Sequence, residues 1–165
     1  MTTKNKPTQT IQLPTNEKAA VYIRQAAVSQ TTRNQEKGQM TTQTLVDYAY
    51  KLGWTDDKVV LFVDNGIPGN ASIEKRQGLQ ALVTAIQNGS IKSVLVKSEY
   101  TLFRNADMVQ VNTFIKLCQE HDLIVVTPEV IYDFTSIAQA HLFRFVLESV
   151  SVAIYARTNK HCFSR

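Results

Sequence analysis

The sequence predicts an α/β fold: a mainly parallel sheet flanked by helices on both faces, closed by a long C-terminal helix. Three observations carry this. Short β-branched runs alternate with longer segments whose apolar residues recur at helical spacing, the pattern of a parallel sheet covered on both sides. Glycines sit where the helical segments stop. The last long segment is apolar on more than one face, which a helix facing a single core does not need.

The elements follow in order. Residues 1–17 are rich in Thr, Lys, Asn, Gln and Pro and read as a disordered leader. The first strand is Ala20 to Arg24, followed by a polar loop from Gln25 to Arg33. Leu45, Val46, Ala49 and Leu52 then mark a helix that stops at Gly53. Val59 to Val63 is a second short strand, and Gly66, Pro68 and Gly69 mark an exposed loop. Gly78 to Asn88 is a helix with Leu79, Leu82, Val83 and Ile86 on one face, ended by Gly89. Ser93 to Lys97 is a third strand. Met108, Val111, Phe114, Ile115 and Leu117 form the apolar face of the next helix, and Leu123 to Thr127 is a fourth strand stopped by Pro128. From Ser136 to about Arg157, the residues Leu142, Phe143, Phe145, Val146, Val150, Val152 and Ile154 overload a single stripe. The helix either needs a second partner surface or crosses its own domain.

Composition narrows the function classes. At 165 residues and 44% apolar content the chain has the size of one domain with a real core. It holds no apolar run of about 18 residues, so no membrane span is expected. Its start does not have the basic-then-apolar pattern of a signal peptide, and a cytoplasmic location is expected. Cys118 and Cys162 have no CxxC spacing, and with His121, His141 and His161 they form no recognisable zinc pattern. No metal or cofactor is expected. Cys118 reads as a buried thiol in a helical apolar pattern, and His121 and His141 as surface or helix-end residues. The net charge is +4, and its placement matters more than its size. Lys4, Lys6 and Lys18 outweigh Glu17 at one end, and Arg157, Lys160 and Arg165 stand without an acid at the other. The body between is near neutral, which is not the footprint of a strong DNA binder.

Two segments point to chemistry. Val21-Tyr22-Ile23-Arg24-Gln25-Ala26 ends an apolar run on an arginine and a small residue. Val94-Leu95-Val96-Lys97-Ser98-Glu99-Tyr100-Thr101-Leu102-Phe103-Arg104-Asn105 is a second apolar run leading to an arginine. Both resemble signatures of the resolvase/invertase-type serine recombinases, Tyr-x-Arg-Val-Ser and Asp-Arg-Leu-x-Arg. Phe62-Val63-Asp64-Asn65-Gly66-Ile67-Pro68-Gly69 resembles the family's Phe-Val-Asp-x-Gly-x-Ser-Gly. Arg76-Gln77-Gly78-Leu79-Gln80-Ala81-Leu82 resembles its Arg-Pro-Gly-Leu-x-x-Leu. Asp47-Tyr48-Ala49 with Leu52-Gly53-Trp54, Asn88-Gly89-Ser90-Ile91, and the stretch from Glu129 through Ser136 fit in the same order. Together they cover roughly residues 19 to 157.

The resemblance implies a resolvase-like three-layer sandwich over residues 18–157, with a basic tail at 158–165. It also implies DNA strand cleavage and rejoining through a phosphoserine link, without a metal. In that chemistry a serine attacks the phosphodiester and arginines hold the charged oxygens. The planar guanidinium fork suits a phosphate, and the logic is covalent catalysis plus fixed positive donors. Arg24, Arg76 and Arg104 match the family's arginines and are the expected phosphate-binding residues. The bland readings are an Arg24 paired with a carboxylate such as Asp64, a surface Arg76 at a helix start, and a solvated Arg104.

Against this, the nucleophile position is Ala26, which has no hydroxyl. The Asp-Arg pair is replaced by Tyr100 and Thr101. The family's mid-helix glutamate has no counterpart in register: Glu148 is displaced and Ser151 stands near the expected place. Losses of groups that act in the transition state compound, so no catalytic residue is expected. Val28-Ser29 echoes the Val-Ser pair three residues late, so an active enzyme using Ser29 stays open, as does a small anion-binding α/β domain. The expected partners are DNA, bound weakly and without sequence preference, and a second copy or an intact recombinase through residues 136–157. The resemblance includes a DNA-reading part after the long helix, and this sequence carries no recognisable one.

Overall fold

In the computed structural model, residues 10–25, 32–68, 71–104 and 107–159 are described, with 32–40 and 150–159 by backbone alone. Five strands form one sheet: β1 (Ala19–Gln25), β2 (Val59–Asn65), β3 (Ser93–Leu95), β4 (Ile124–Val126) and β5 (Ile131–Asp133). Five helices flank it: α1 (Thr32–Leu52), α2 (Gln77–Gln87), α3 (Glu99–Leu102), α4 (Met108–Glu120) and α5 (Ile137–Asn159). The strand order is β2-β1-β3-β4-β5. β1 runs parallel to β2 and β3, β3 parallel to β4, and β5 antiparallel to β4.

The three layers follow from the two-residue period of a strand. In β1, Ala20 and Tyr22 face one core, with Leu79, Leu82 and Ile86 of α2, Phe114 and Cys118 of α4, and Phe143 and Leu147 of α5. Ala19, Val21 and Ile23 face the other core, with Leu45 and Ala49 of α1 and Trp54. Burial on both faces is why β1 reads as an unbroken apolar run.

Glycines close α1 and α2 as expected, by one mechanism. Gly53 has φ +111° and Gly89 φ +71°. After α1, Gly53 N donates to Tyr50 O and Trp54 N to Ala49 O; after α2, Gly89 N donates to Ile86 O and Ser90 N to Ala85 O. This crossed pair of bonds satisfies the last carbonyls of a helix and needs a left-handed residue.

Three features differ from the sequence reading. The part of the expected disordered leader that is described, residues 10–17, is packed: Ile11 and Leu13 lie against the α1-side core. Trp54 Nε1 donates to Glu17 O at 3.1 Å, which anchors this segment beside Gly53. Two apolar residues in a polar stretch were enough to dock it. β5 and α3 were not anticipated, because elements of three and four residues carry no period to detect. Element ends also differ from those expected: β1 runs on through Gln25 and β2 through Asn65, β3 stops at Leu95, β4 spans only Ile124–Val126, and α1 begins at Thr32, inside the expected loop.

Among the described residues, no helix is long and apolar enough to cross a membrane, and no group of His, Cys, Asp or Glu could hold a metal ion. Cys118 is buried, and burial holds its thiol well above the usual range.

Candidate functional site

The C-terminal ends of β1 and β2 meet the start of α2 and the single turn of α3, at the sheet edge where open α/β folds bind ligands. Parallel pairing places Tyr22 beside Phe62 and Arg24 beside Asp64, so Tyr22, Arg24 and Asp64 share the face that α2 covers.

Asp64 is the hub. It is 2% exposed and accepts from Tyr22 Oη at 2.7 Å, Gly78 N at 2.7 Å and Leu79 N at 3.0 Å. A carboxylate on the first amides of α2 satisfies donors that the helix cannot pair itself, and its charge suits that end of the helix dipole. The approach requires glycine. A Cβ at Gly78 would lie 2.6 Å from Val63 O and 3.0 Å from Asp64 Cγ. Thus the Arg-x-Gly-Leu stretch has a packing reason independent of any chemistry.

Arg76 is also 2% exposed. Its Nη1 donates to Leu102 O at 2.5 Å, and its Nη2 donates to Tyr22 Oη at 2.6 Å and Thr101 O at 2.9 Å. Its Nε lies 3.9 Å from Asp64 Oδ2 and makes no hydrogen bond. The guanidinium carbon sits 5.6 Å from the centre of the Tyr22 ring, within cation–π range. Tyr22 therefore accepts from Arg76 and donates to Asp64 through one oxygen. Burial pushes its phenol far above the usual range, with Arg76 opposing and Asp64 adding to the rise.

Arg24 is held differently. It is half-buried, and its three bonds, to Thr101 O at 3.4 Å, Ile67 O at 3.4 Å and Tyr100 O at 3.5 Å, are all at the long limit for a hydrogen bond. Burial pulls the guanidinium below its ordinary value, and the charges of Arg76 and Arg104 pull it further, opposed by Tyr22 and Asp64. Ile67 also lines an open cleft of about 540 Å³ with Gly66, Pro68, Ala71, Ser72 and Lys75.

The structure thus brings Arg24 and Arg76 to one carbonyl, Thr101 O, with Arg104 exposed close by. Arg76, expected among the phosphate-binding residues, is buried, and both its terminal nitrogens donate to protein oxygens. Asp64, weighed as a partner of Arg24, belongs instead to Tyr22, Arg76 and α2. Tyr100 and Thr101, read as eroded positions, contribute through their backbone oxygens. Burial, with Glu99 and Glu129 adding, raises the Tyr100 phenol. Glu148 is exposed on α5. Ala26, Ser29 and Gly69 lie outside the described residues, as do residues 1–9 and 160–165 and the side chain of Ser151. The role of Asp64 had a sequence signal, a single acid closing an apolar strand just before a glycine-led helix. Arg76's burial had none.

The chain matches the family described as "Resolvase, N terminal domain" over residues 19–158. No curated protein sequence matches it. Solved structures that share the fold include the following two. The N-terminal catalytic domain of TP901-1 integrase is 19% identical, with a TM-score of 0.56, over 85% of this chain and 98% of that one. A resolvase family site-specific recombinase from Streptococcus pneumoniae is 18% identical, with a TM-score of 0.60, over 88% of this chain and 95% of that one.

Proposed function

The chain belongs to the resolvase family of serine recombinases, and from that premise we propose that it is a catalytically inactive member that contacts DNA phosphate without cutting it. The observation that carries this is the state of Arg24. It is a half-buried guanidinium with two arginines in its field and only long bonds to backbone carbonyls. A phosphate oxygen offers it a shorter, charge-assisted bond. Arg104 adds an exposed charge, and Arg76 holds the scaffold from behind. The missing hydroxyl at Ala26 and missing charge at Thr101 support inactivity.

Binding follows from the charge distribution. With a near-neutral body, affinity for duplex DNA is expected to be weak, indifferent to sequence and steeply salt-dependent. Arg24→Ala should lower it about tenfold at low salt and reduce the salt slope by about one. Fluorescence anisotropy across a salt series reads both quantities. Nanomolar, sequence-selective binding at physiological salt would overturn this reading.

Assembly through residues 136–157 is the second part of the proposal. Phe143 and Leu147 of α5 are buried in the domain, yet Ile137 is 73%, Leu142 40% and Phe145 65% exposed on the same helix. Large apolar side chains left exposed on a helix that also packs into its own core favour a partner surface. Sedimentation of the full chain should show a concentration-dependent dimer that Phe145→Glu shifts towards monomer. A clean monomer at high micromolar concentration would remove this part of the proposal.

A further inference from the structure

Beneath the arginine cluster lies a buried acid that the proposed function does not use. Glu99 opens α3 and is 8% exposed, and its Oε1 accepts from the Tyr132 hydroxyl at 2.5 Å. Among the described residues, its carboxylate is in neither of the two ion pairs, Arg76 with Asp64 and Lys116 with Glu120. An acid removed from water and met by a neutral phenol costs more than an apolar side chain of similar size. What it fixes is the position of α3.

α3 is one turn of four residues, too short to hold itself in place. Its buried side chains are Glu99 and Leu102. The next three carbonyls in this turn, those of Tyr100, Thr101 and Leu102, accept from Arg24 and Arg76. The anchors of Glu99 and Leu102 together therefore set where those carbonyls sit.

The other end of the bond belongs to a different part of the molecule. Tyr132 is fully buried on β5. Its ring meets Phe143 of α5 edge to face at 5.1 Å and stacks on Phe134 at 6.0 Å. Phe143 in turn meets Phe134 edge to face at 5.2 Å. Burial, with Glu99 adding, pushes the Tyr132 phenol far above its usual range, so it stays a donor. A contiguous path runs from α5 through Phe143, Tyr132 and Glu99 to the carbonyls that hold the arginines.

We infer that Glu99 and Tyr132 are positioning residues whose hydrogen bond couples the packing of α5 to the setting of the Arg24–Arg76 cluster. Their relevance to DNA rests on the phosphate-binding reading above; the coupling itself does not, and is tested without DNA. In the labelled 165-residue chain, exchange of the guanidinium hydrogens of Arg76 and the chemical shift of Arg24 Nε are followed by NMR. Tyr132→Phe, which removes one oxygen, is expected to speed Arg76 exchange about tenfold and move the Arg24 signal. The β1 amides of Val21 and Tyr22 should hold within about twofold, because the global fold persists. Glu99→Gln keeps an acceptor for the phenol and should stay near the unmodified values. Phe143→Leu should disturb both arginine signals in the unmodified background and add nothing in Tyr132→Phe. Unchanged arginine signals in Tyr132→Phe would overturn the inference. So would β1 amides that loosen in parallel with Arg76, or a Phe143→Leu effect that persists in full without the phenol.

Discussion

A nicked suicide substrate that traps phosphoserine links should yield no covalent adduct with the unmodified chain. The physical reason is cumulative. Ala26 offers no oxygen to attack phosphorus, Thr101 no charge for the oxygens of the transition state, and Tyr100 no carboxylate to orient an arginine. Each missing group acts only as the reaction proceeds, so its loss falls on the rate, and loss of the nucleophile alone costs several orders of magnitude. Denaturing gels of protein and labelled DNA read the result directly. A stable adduct abolished by Ser29→Ala would overturn the inactive reading in favour of the displaced serine. The converse construction is Ala26→Ser with Tyr100→Asp and Thr101→Arg. The oxygens of residues 100–102 that accept from Arg24 and Arg76 are backbone carbonyls, so changing the side chains at 100 and 101 leaves those acceptors in place. Trace adducts are expected from this triple variant when DNA is delivered by a fused binding domain.

Much of the fold was legible because it rests on long-period signals. β1 and β2 are continuous apolar strands, α2 and α4 have clean stripes, and Gly53 and Gly89 end helices in the left-handed conformation that favours glycine. β5 and α3 were not legible, since three or four residues cannot express a period. Docking of residues 10–17 depends on Ile11 and Leu13 meeting a core built largely from residues that follow them, which local composition does not register. The site divided similarly. Arg24 was found because it ends a strand at the ligand-binding edge of the sheet. The burial of Arg76 depends on acceptors 25 and 26 residues further along the chain, at Thr101 and Leu102. A motif match has no access to such a contact, and an arginine at a helix start looks the same whether it faces water or a carbonyl cradle.

That distinction sets the expected stability of two variants. Asp64→Ala should destabilise the chain by about 3–5 kcal/mol in urea unfolding, the scale for breaking a buried charged pair by removing one partner. It strips the acceptor from Gly78 N, Leu79 N and Tyr22 Oη together and leaves the Arg76 guanidinium in the core without its acid. Arg76→Met should cost less, about 1–3 kcal/mol, because the two amides and the phenol still serve Asp64 while the carbonyls of Thr101 and Leu102 and the Tyr22 oxygen lose a donor. The double variant should cost clearly less than the two single losses combined, since the second substitution removes a charge that the first has stranded. An Asp64→Ala variant within 1 kcal/mol of the unmodified chain would show that water reaches this pair and that the hub is not structural. The expected result bears directly on how the family's arginines are read in this chain. Arg76 fits the recombinase pattern and is at the same time part of what holds β1, α2 and α3 together. Its contacts give it a part in folding, so its presence does not by itself argue for activity in this domain.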